Sequence, residues 1–498
     1  MSQRSVLVWV FVSALSGVLN AAESSRPNVL WIIADDQAAY VTGCYGNNLV
    51  KTPNIDALAS AGIRFDRAYC NSPVCTASRQ SFLTGRYPRS IGVSLLSTPL
   101  PESELTLAEI LKEAGYDTAA FGKMHFNSQL AHGFDLRIDM PQYQQWLKAK
   151  GPAALPAGVE VLGQWKPFRD PASVWLNSGY RPFGATLEDM PSTFIARRAQ
   201  EYLSQKRDKP FFAMVSFFEP HSPYRFPVEY AGRKKPADFD VPKVGPEDDW
   251  QIPAIFRELT DDEKRGIQAS YYTSVEYADW CIGQVLQALD KSGQADNTLV
   301  VYIGDHGYCL GHHGRFEKHC MYEQAIRAPL IVRYPQGVKA GSSTDALVEF
   351  IDIAPTILDL CGVKKPNRFQ GRSLVPLLDG KADKHREYVL IEYGHNDEVC
   401  LRTEKWKLVY ERGQDTRDDG YDPAGDPPGP KLRLFDLTSD PDEMTNVAQR
   451  PENRAVVSDL TDKLVKHLVA TTRRPERIPR SFDPLALLDS LTQPDDIR

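Results

Sequence analysis

Three near-continuous apolar runs of strand length constrain this chain more than any other feature: residues 29–34 (VLWIIA), 211–218 (FFAMVSFF) and 298–303 (TLVVYI). Residues 116–121 read as a fourth strand of the same kind. A strand apolar along its whole length has no solvent face, so it belongs in a parallel sheet covered by helices on both sides. Each run delivers polar, titratable residues just past its carboxyl end: Asp35 and Asp36, Lys123 and His125, His221, then Asp305 and His306. Ligands of open α/β sheets bind in the crevice beyond those ends. The pattern therefore predicts one site on one sheet edge.

Helical spacing predicts helices over residues 105–114 and 261–291, the first stopped by Gly115 and the second by Ser292-Gly293. Residues 126 to 200 have weak periodicity and many Pro, Gly, Trp and Tyr. They read as an irregular insertion over the site, the kind of loop that carries substrate choice. Past Gly380 the pattern changes to short strands at 388–392, 399–402 and 407–410 in meander spacing. A Gly-, Pro- and Asp-rich loop at 415–430, a strand at 432–436, a helix at 453–471 and a loose tail after Arg473 complete it.

A length of 498 residues exceeds what one core normally serves. The expected division is a signal peptide at 1–22, a catalytic domain at 23–379 and a smaller α+β subdomain at 380–498. Arg4, the apolar stretch from Val6 to Leu19, and Ala21 and Ala22 carry the signal reading. That stretch is short for a bilayer span, and no later one is longer, so a periplasmic or secreted protein with no membrane span is expected. The net charge of −7 argues against a nucleic-acid partner held by phosphate contacts. Eight cysteines include no CxxC pair, so spacing suggests neither zinc nor a particular disulfide.

The segment Asn71-Ser72-Pro73-Val74-Cys75-Thr76-Ala77-Ser78-Arg79 runs from a loop into a helix closed by Gly85. Cys75 falls at or just before the helix N-terminus, where the dipole and free amides favour an anion or a thiolate. Taken alone, the segment equally fits a buried structural cysteine. Asp35, Asp36 and Asp305 converge on one edge and offer the oxygen ligands that suit Ca²⁺ or Mg²⁺. Arg79, Lys123, His125, His221 and Lys318 form a cationic set around the same edge, while His312, His313, His319 and Arg327 receive no role.

Cys75-Thr76-Ala77-Ser78-Arg79 resembles the signature of the formylglycine-dependent sulfatases, in which the Cys of Cys-x-Pro-Ser-Arg is oxidised to an aldehyde. Ala77 replaces the commonest Pro, a variant found within the family. The similarity runs in order through residues 26–53, 75–88, 122–125, 220–221, 305–314 and 434–448. It implies an alkaline-phosphatase-like fold: a mixed, mostly parallel sheet between helices, with a smaller α+β carboxy-terminal subdomain. It implies one calcium ion held by Asp35, Asp36, Asp305, His306 and the group derived from Cys75, and a sulfate ringed by Arg79, Lys123, His125, His221 and Lys318. His306 departs from the all-oxygen ligand set that calcium prefers. In the implied reaction the hydrated aldehyde attacks sulfur. His221, with Lys318, protonates the departing alcohol, and His125 takes the proton whose loss expels sulfate. The implied partners are a sulfated small molecule or glycan and a formylglycine-generating maturation enzyme. Residues 122–126 and 132–134 also resemble choline sulfatases. The alternatives are a choline-sulfate or aryl-sulfate hydrolase, a phosphonate or phosphate ester hydrolase of the same superfamily, and an unconverted homologue that only binds sulfated glycans.

Overall fold

The computed structural model describes residues 26–159, 165–169, 185–413, 429–481 and 483–496. The signal segment at 1–22 and the loop at 415–428 lie outside these residues, as do positions 160–164 and 170–184 of the insertion. Eight strands form the main sheet: β1 (Asn28–Asp35), β2 (Ile63–Phe65), β3 (Asp117–Gly122), β4 (Leu136–Ile138), β5 (Phe211–Pro220), β6 (Thr298–Gly304), β7 (Leu330–Arg333) and β8 (Ser342–Thr344). Their order is β4-β3-β5-β1-β6-β7-β2-β8. Only β7 runs against its neighbours, so the sheet is mixed and mostly parallel, as expected.

Alternation along β1 shows why its sequence is apolar throughout. Val29, Trp31 and Ile33 enter a core with helices α2 (Cys75–Thr84), α3 (Leu107–Glu113) and α7 (Ile353–Leu360). Leu30, Ile32 and Ala34 enter a second core with α1 (Pro53–Ser60), α5 (Pro191–Leu203) and α6 (Asp261–Lys291). Removing both faces from water is the main stabilising term for such a strand. The α6 limits match the predicted 261–291, because Thr260 and Glu263 form a capping box at its start.

Register brings the site together. Ile33 of β1 lies opposite Ser216 of β5 and Ile303 of β6, and Asp35 lies opposite Pro220 after an irregularity. The carboxyl ends of the three central strands are therefore level.

Two expectations fail. The insertion is not irregular throughout: β4 adds an edge strand, α4 (Met140–Lys150) is a regular helix, and α5 begins at Pro191. Helix α4 buries none of its residues fully, and its only packed face is the half-buried pair Tyr143 and Trp146 on Phe194; the Asp139–Gln142 capping box starts it. The tail is not loose either. Helix α9 (Pro484–Leu491) buries Leu488 and Leu491 against helix α8 (Arg454–Thr471) and the second sheet.

That second sheet is the predicted meander, β9 (Tyr388–Tyr393), β10 (Glu398–Thr403), β11 (Trp406–Glu411) and β12 (Lys431–Asp436), antiparallel in sequence order. Leu390, Leu401 and Leu408 face α8 and α9, while Val389, Ile391, Cys400 and Val409 face the main core. No helix of the described residues is long and apolar enough to cross a membrane.

Candidate active site

Cys75 is the first residue of α2 and is 2 % exposed. Amides of a first helical turn have no partner within the helix and point toward whatever occupies the position before it. Gly85 closes α2 at φ 63°, its N–H donating to the Ser81 carbonyl. Lys318 Nζ lies 3.8 Å from Cys75 Sγ, and the His125 imidazole faces the same thiol. Burial alone would push this thiol up; Lys123, Lys318 and His125 pull it well below its ordinary value. The position is built to hold negative charge.

Gly122 turns the chain out of β3 at φ 84°, and a Cβ there would strike the Ser216 carbonyl. The following segment does not continue extended: His125 has φ 58°. Lys123 and His125 nonetheless both reach the site, because the kink replaces the alternation an extended strand would have supplied.

Three buried carboxylates lie beside the sulfur. Asp36 adopts φ 65°, its N–H donating to Asp305 Oδ1 at 2.9 Å. Arg79, wholly buried, donates from Nε to Asp305 Oδ2 at 2.8 Å and from Nη1 to the Lys123 carbonyl and Ser216 Oγ at 2.7 Å each. Its Nη2 stands 3.5 Å from Asp35 Oδ1. Lys123 pairs with Asp35, and Lys318 Nζ lies 2.6 Å from Asp36 Oδ1. Burial acts to raise the Asp35 carboxyl, but Lys123, His221 and Arg79 outweigh it and hold the group far below the usual carboxylate range. Burial wins at Asp305, which is raised although His306 and Arg79 face it.

His306 Nδ1 lies 3.0 Å from the Gly307 carbonyl and must donate to it. Its Nε2 then faces Asp36 Oδ1 at 3.4 Å and Asp305 Oδ1 at 3.6 Å with no hydrogen-bond partner. Asp35 Oδ1 is buried and equally without a hydrogen bond. Donor atoms of Asp35, Cys75, Asp305 and His306 all lie within 4.8 Å of one another, as do those of Asp35, Asp36 and His221. Converging carboxylate oxygens, with the Asp35 Oδ1 and His306 Nε2 lone pairs left without a hydrogen bond among them, fit a divalent cation.

His221 follows Pro220 at the end of β5. Its Nδ1 donates to the Ser222 carbonyl at 2.6 Å, leaving Nε2 facing Asp36 Oδ2 at 3.9 Å. With its side chain 33 % exposed, it borders both the buried carboxylates and the solvent.

Every residue singled out for the site from the sequence is thus in one cluster. The unassigned polar residues hold the surrounding loops: His313 contacts Asp248 at 3.0 Å and stacks on Tyr322, His319 stacks on Tyr393, and Arg327 donates to the Asp66 carbonyl. Sequence reasoning missed Ser216, Ser78 and Tyr271. Ser216 anchors Arg79, Ser78 Oγ donates to the Asp305 carbonyl at 2.6 Å, and Tyr271 Oη donates to the Asp36 carbonyl. Ser216 had a signal, as the one polar residue of the apolar run at 211–218. Tyr271, mid-helix, had none.

The sulfatase family model matches residues 27–363, and the N-sulphoglucosamine sulphohydrolase C-terminal model matches residues 311–470. The chain belongs to the sulfatase family, enzymes that hydrolyse sulfate esters. It is 27% identical over 510 aligned residues to an N-acetylglucosamine-6-O-sulfatase of Bacteroides thetaiotaomicron, covering 86% of this chain and 84% of that one. It is 29% identical over 460 residues to an ulvan-active sulfatase of Formosa agariphila, covering 90% and 82%. The solved phosphonate monoester hydrolase of Agrobacterium radiobacter superposes with a TM-score of 0.76 at 25% identity, covering 90% of this chain and 96% of that one.

Proposed function

We propose that this chain is an exported sulfatase acting on a sulfated carbohydrate. In this reading Cys75 is oxidised to formylglycine by a maturation enzyme that accepts Ala77, and Asp35, Asp36, Asp305 and His306 hold one calcium ion per chain beside it. The observation that carries the reading is the convergence at Cys75: a nearly sealed helix-start side chain faced by Lys123, Lys318 and His125, with three carboxylates adjacent. When bound, the two groups supply a hydroxyl nucleophile and Lewis-acid polarisation of a sulfate oxygen.

The chain's own residues supply the rest. Lys123 and Lys318 hold sulfate oxygens and neutralise charge as it shifts during transfer. Arg79 fixes the Asp305 carboxylate and lies beside Asp35, and so orients the cation ligands. His221 has committed Nδ1–H to Ser222, so a proton for the departing alcohol oxygen comes from Nε2. His125, in contact with position 75, accepts the proton whose removal lets sulfate leave.

The named carbohydrate activities of the two relatives support a glycan substrate. Export rests on the signal reading of residues 1–22.

Phosphonate or phosphate monoester hydrolysis is the second reading, favoured by the phosphonate monoester hydrolase likeness. Matched sulfate, phosphate and phosphonate monoesters of one leaving group separate the two. The proposal requires the highest kcat/KM on the sulfate ester; a phosphonate preference overturns it.

A further inference from the structure

The segment after α9 reaches a loop that is tied to the residues around Cys75. The Asp496 carboxylate lies in a nest formed by the loop at residues 94–98. Asp496 Oδ1 accepts the Ser94 N–H at 3.0 Å, Oδ2 accepts the Leu95 N–H at 2.9 Å, and the hydroxyls of Ser94 and Thr98 donate to it as well. Ser94 and Thr98 are buried. Asp495, one residue earlier, pairs with Arg474 at 3.1 Å and Arg477 at 2.8 Å, and Arg89 donates to the Leu491 carbonyl at 2.6 Å. The tail is thus also tied down on the near side of the nest, at Leu491 and Asp495.

The opposite side of that loop is tied to the residues around the sulfur. Thr76, next to Cys75, donates from Oγ1 to the Leu96 carbonyl at 2.6 Å. The Gln80 amide of α2 donates to the carbonyls of both Thr98 (3.1 Å) and His125 (3.3 Å). Asn127 Nδ2 donates to the Leu96 and Thr98 carbonyls at 2.8 and 3.1 Å, and the Leu100 N–H to the Phe126 carbonyl at 2.9 Å. Within this strapped segment His125 and Asn127 have φ of 58° and 50°. Left-handed conformations of such residues persist only where the surroundings hold them.

We infer that Asp496 is a positioning residue for His125. Its carboxylate fixes the residue 94–98 loop, and the loop holds the strained turn at His125–Asn127 against Cys75. The inference rests on the role given to His125 above. A carboxylate suits the task because it accepts four donors at once, two from backbone amides and two from hydroxyls.

The test compares full-length Asp496→Ala, Asp496→Asn and Asp496→Glu with the parent protein, by hydrogen exchange and by steady-state rates on an aryl and a glycosyl sulfate. Asp496→Ala is expected to speed exchange at residues 94–98 and also at 123–127. Its kcat should fall about ten- to a hundredfold, the scale of small misplacements of a reacting group. The loss should be equal on the two esters, because the His125 step no longer contains the alcohol. Asp496→Asn, which keeps one acceptor oxygen, should show a smaller version of both effects, and Asp496→Glu should recover part of the rate. Unchanged exchange at 123–127 overturns the inference without reference to any substrate, and a rate loss confined to the glycosyl ester overturns it by pointing to His221. Coupled exchange in a parent protein that releases no sulfate would support the strap while refuting the sulfatase reading.

Discussion

At the ends of β1 and β6, Asp35, Asp36 and Asp305 are buried beside Arg79, Lys123 and Lys318; where the loop after β6 meets the second sheet, buried Glu443 and largely buried Glu323 surround Lys407 and Arg402. In the second cluster charges of opposite sign alternate. Lys407 lies between Glu443 and Glu323 and donates to the Met321 carbonyl at 2.7 Å. Glu443 Oε2 accepts the Glu323 N–H at 2.7 Å, and Tyr69 Oη donates to Glu323 at 2.9 Å. In the first cluster carboxylates face one another, an imidazole lone pair points among them, and His221 leaves one side open. Burial of charge is common to both. Convergence of like-charged donors is what separates a site from a rivet.

The largest expected effect falls on the first cluster. Asp36→Asn or Asp305→Asn should lower turnover at least about 10³-fold, since ligand and charge are lost together. Chelation by EDTA should abolish turnover and lower the melting temperature, with calcium restoring both. Full activity in extensively chelated protein would break the comparison at its first term.

Lys407→Met should act in the opposite way, destabilising the fold by about 3–5 kcal/mol, the usual cost of orphaning buried charges. Turnover per folded molecule should stay unchanged, as judged by activity against the folded fraction in urea. A selective loss of kcat would show that the second cluster also serves the chemistry.

The third effect is acid lability of the second cluster. Burial would raise Glu323, but Lys407, Arg402 and Arg327, with the Tyr69 hydroxyl, lower it to about 2 from 4.5. Glu443 faces the same lysine but is itself raised, first by burial, and so opposes this dependence rather than adding to it. A depressed carboxyl stabilises the fold above its unfolded value, and that contribution fades as pH falls from 4.5 toward 2, amounting to about 3 kcal/mol. Glu323→Gln should flatten the stability profile across that window, measured by urea unfolding at each pH. An unchanged slope would mean the pair contributes nothing net.

The smallest effect concerns His306. Replacing the imidazole with an amide, His306→Asn, supplies an oxygen donor that calcium accepts, so calcium-dependent turnover should persist within about tenfold. Complete loss would make the imidazole essential and argue for a softer ion.

How much was legible follows from the physics of each element. Buried parallel strands must be apolar, so a polar residue at their ends stands out; Asp35, His221 and Asp305 were visible for that reason. Cys75 and Arg79 were visible because they share one short helix start. Helix α4 was hard to see because its one packed face is short and only half-buried, Tyr143 and Trp146 against Phe194. Asp496 left none because its partners include backbone amides of Ser94 and Leu95, which any sequence would provide. Tyr271 was hidden because it supports a main-chain carbonyl from a helix remote in sequence.

The most direct test of the account is the mass of the peptide containing Cys75, from protein made with and without a formylglycine-generating enzyme. The account predicts a thiol replaced by an aldehyde only with that enzyme, and sulfate release in proportion to the converted fraction. Full sulfate release by protein whose Cys75 remains an intact thiol would contradict it.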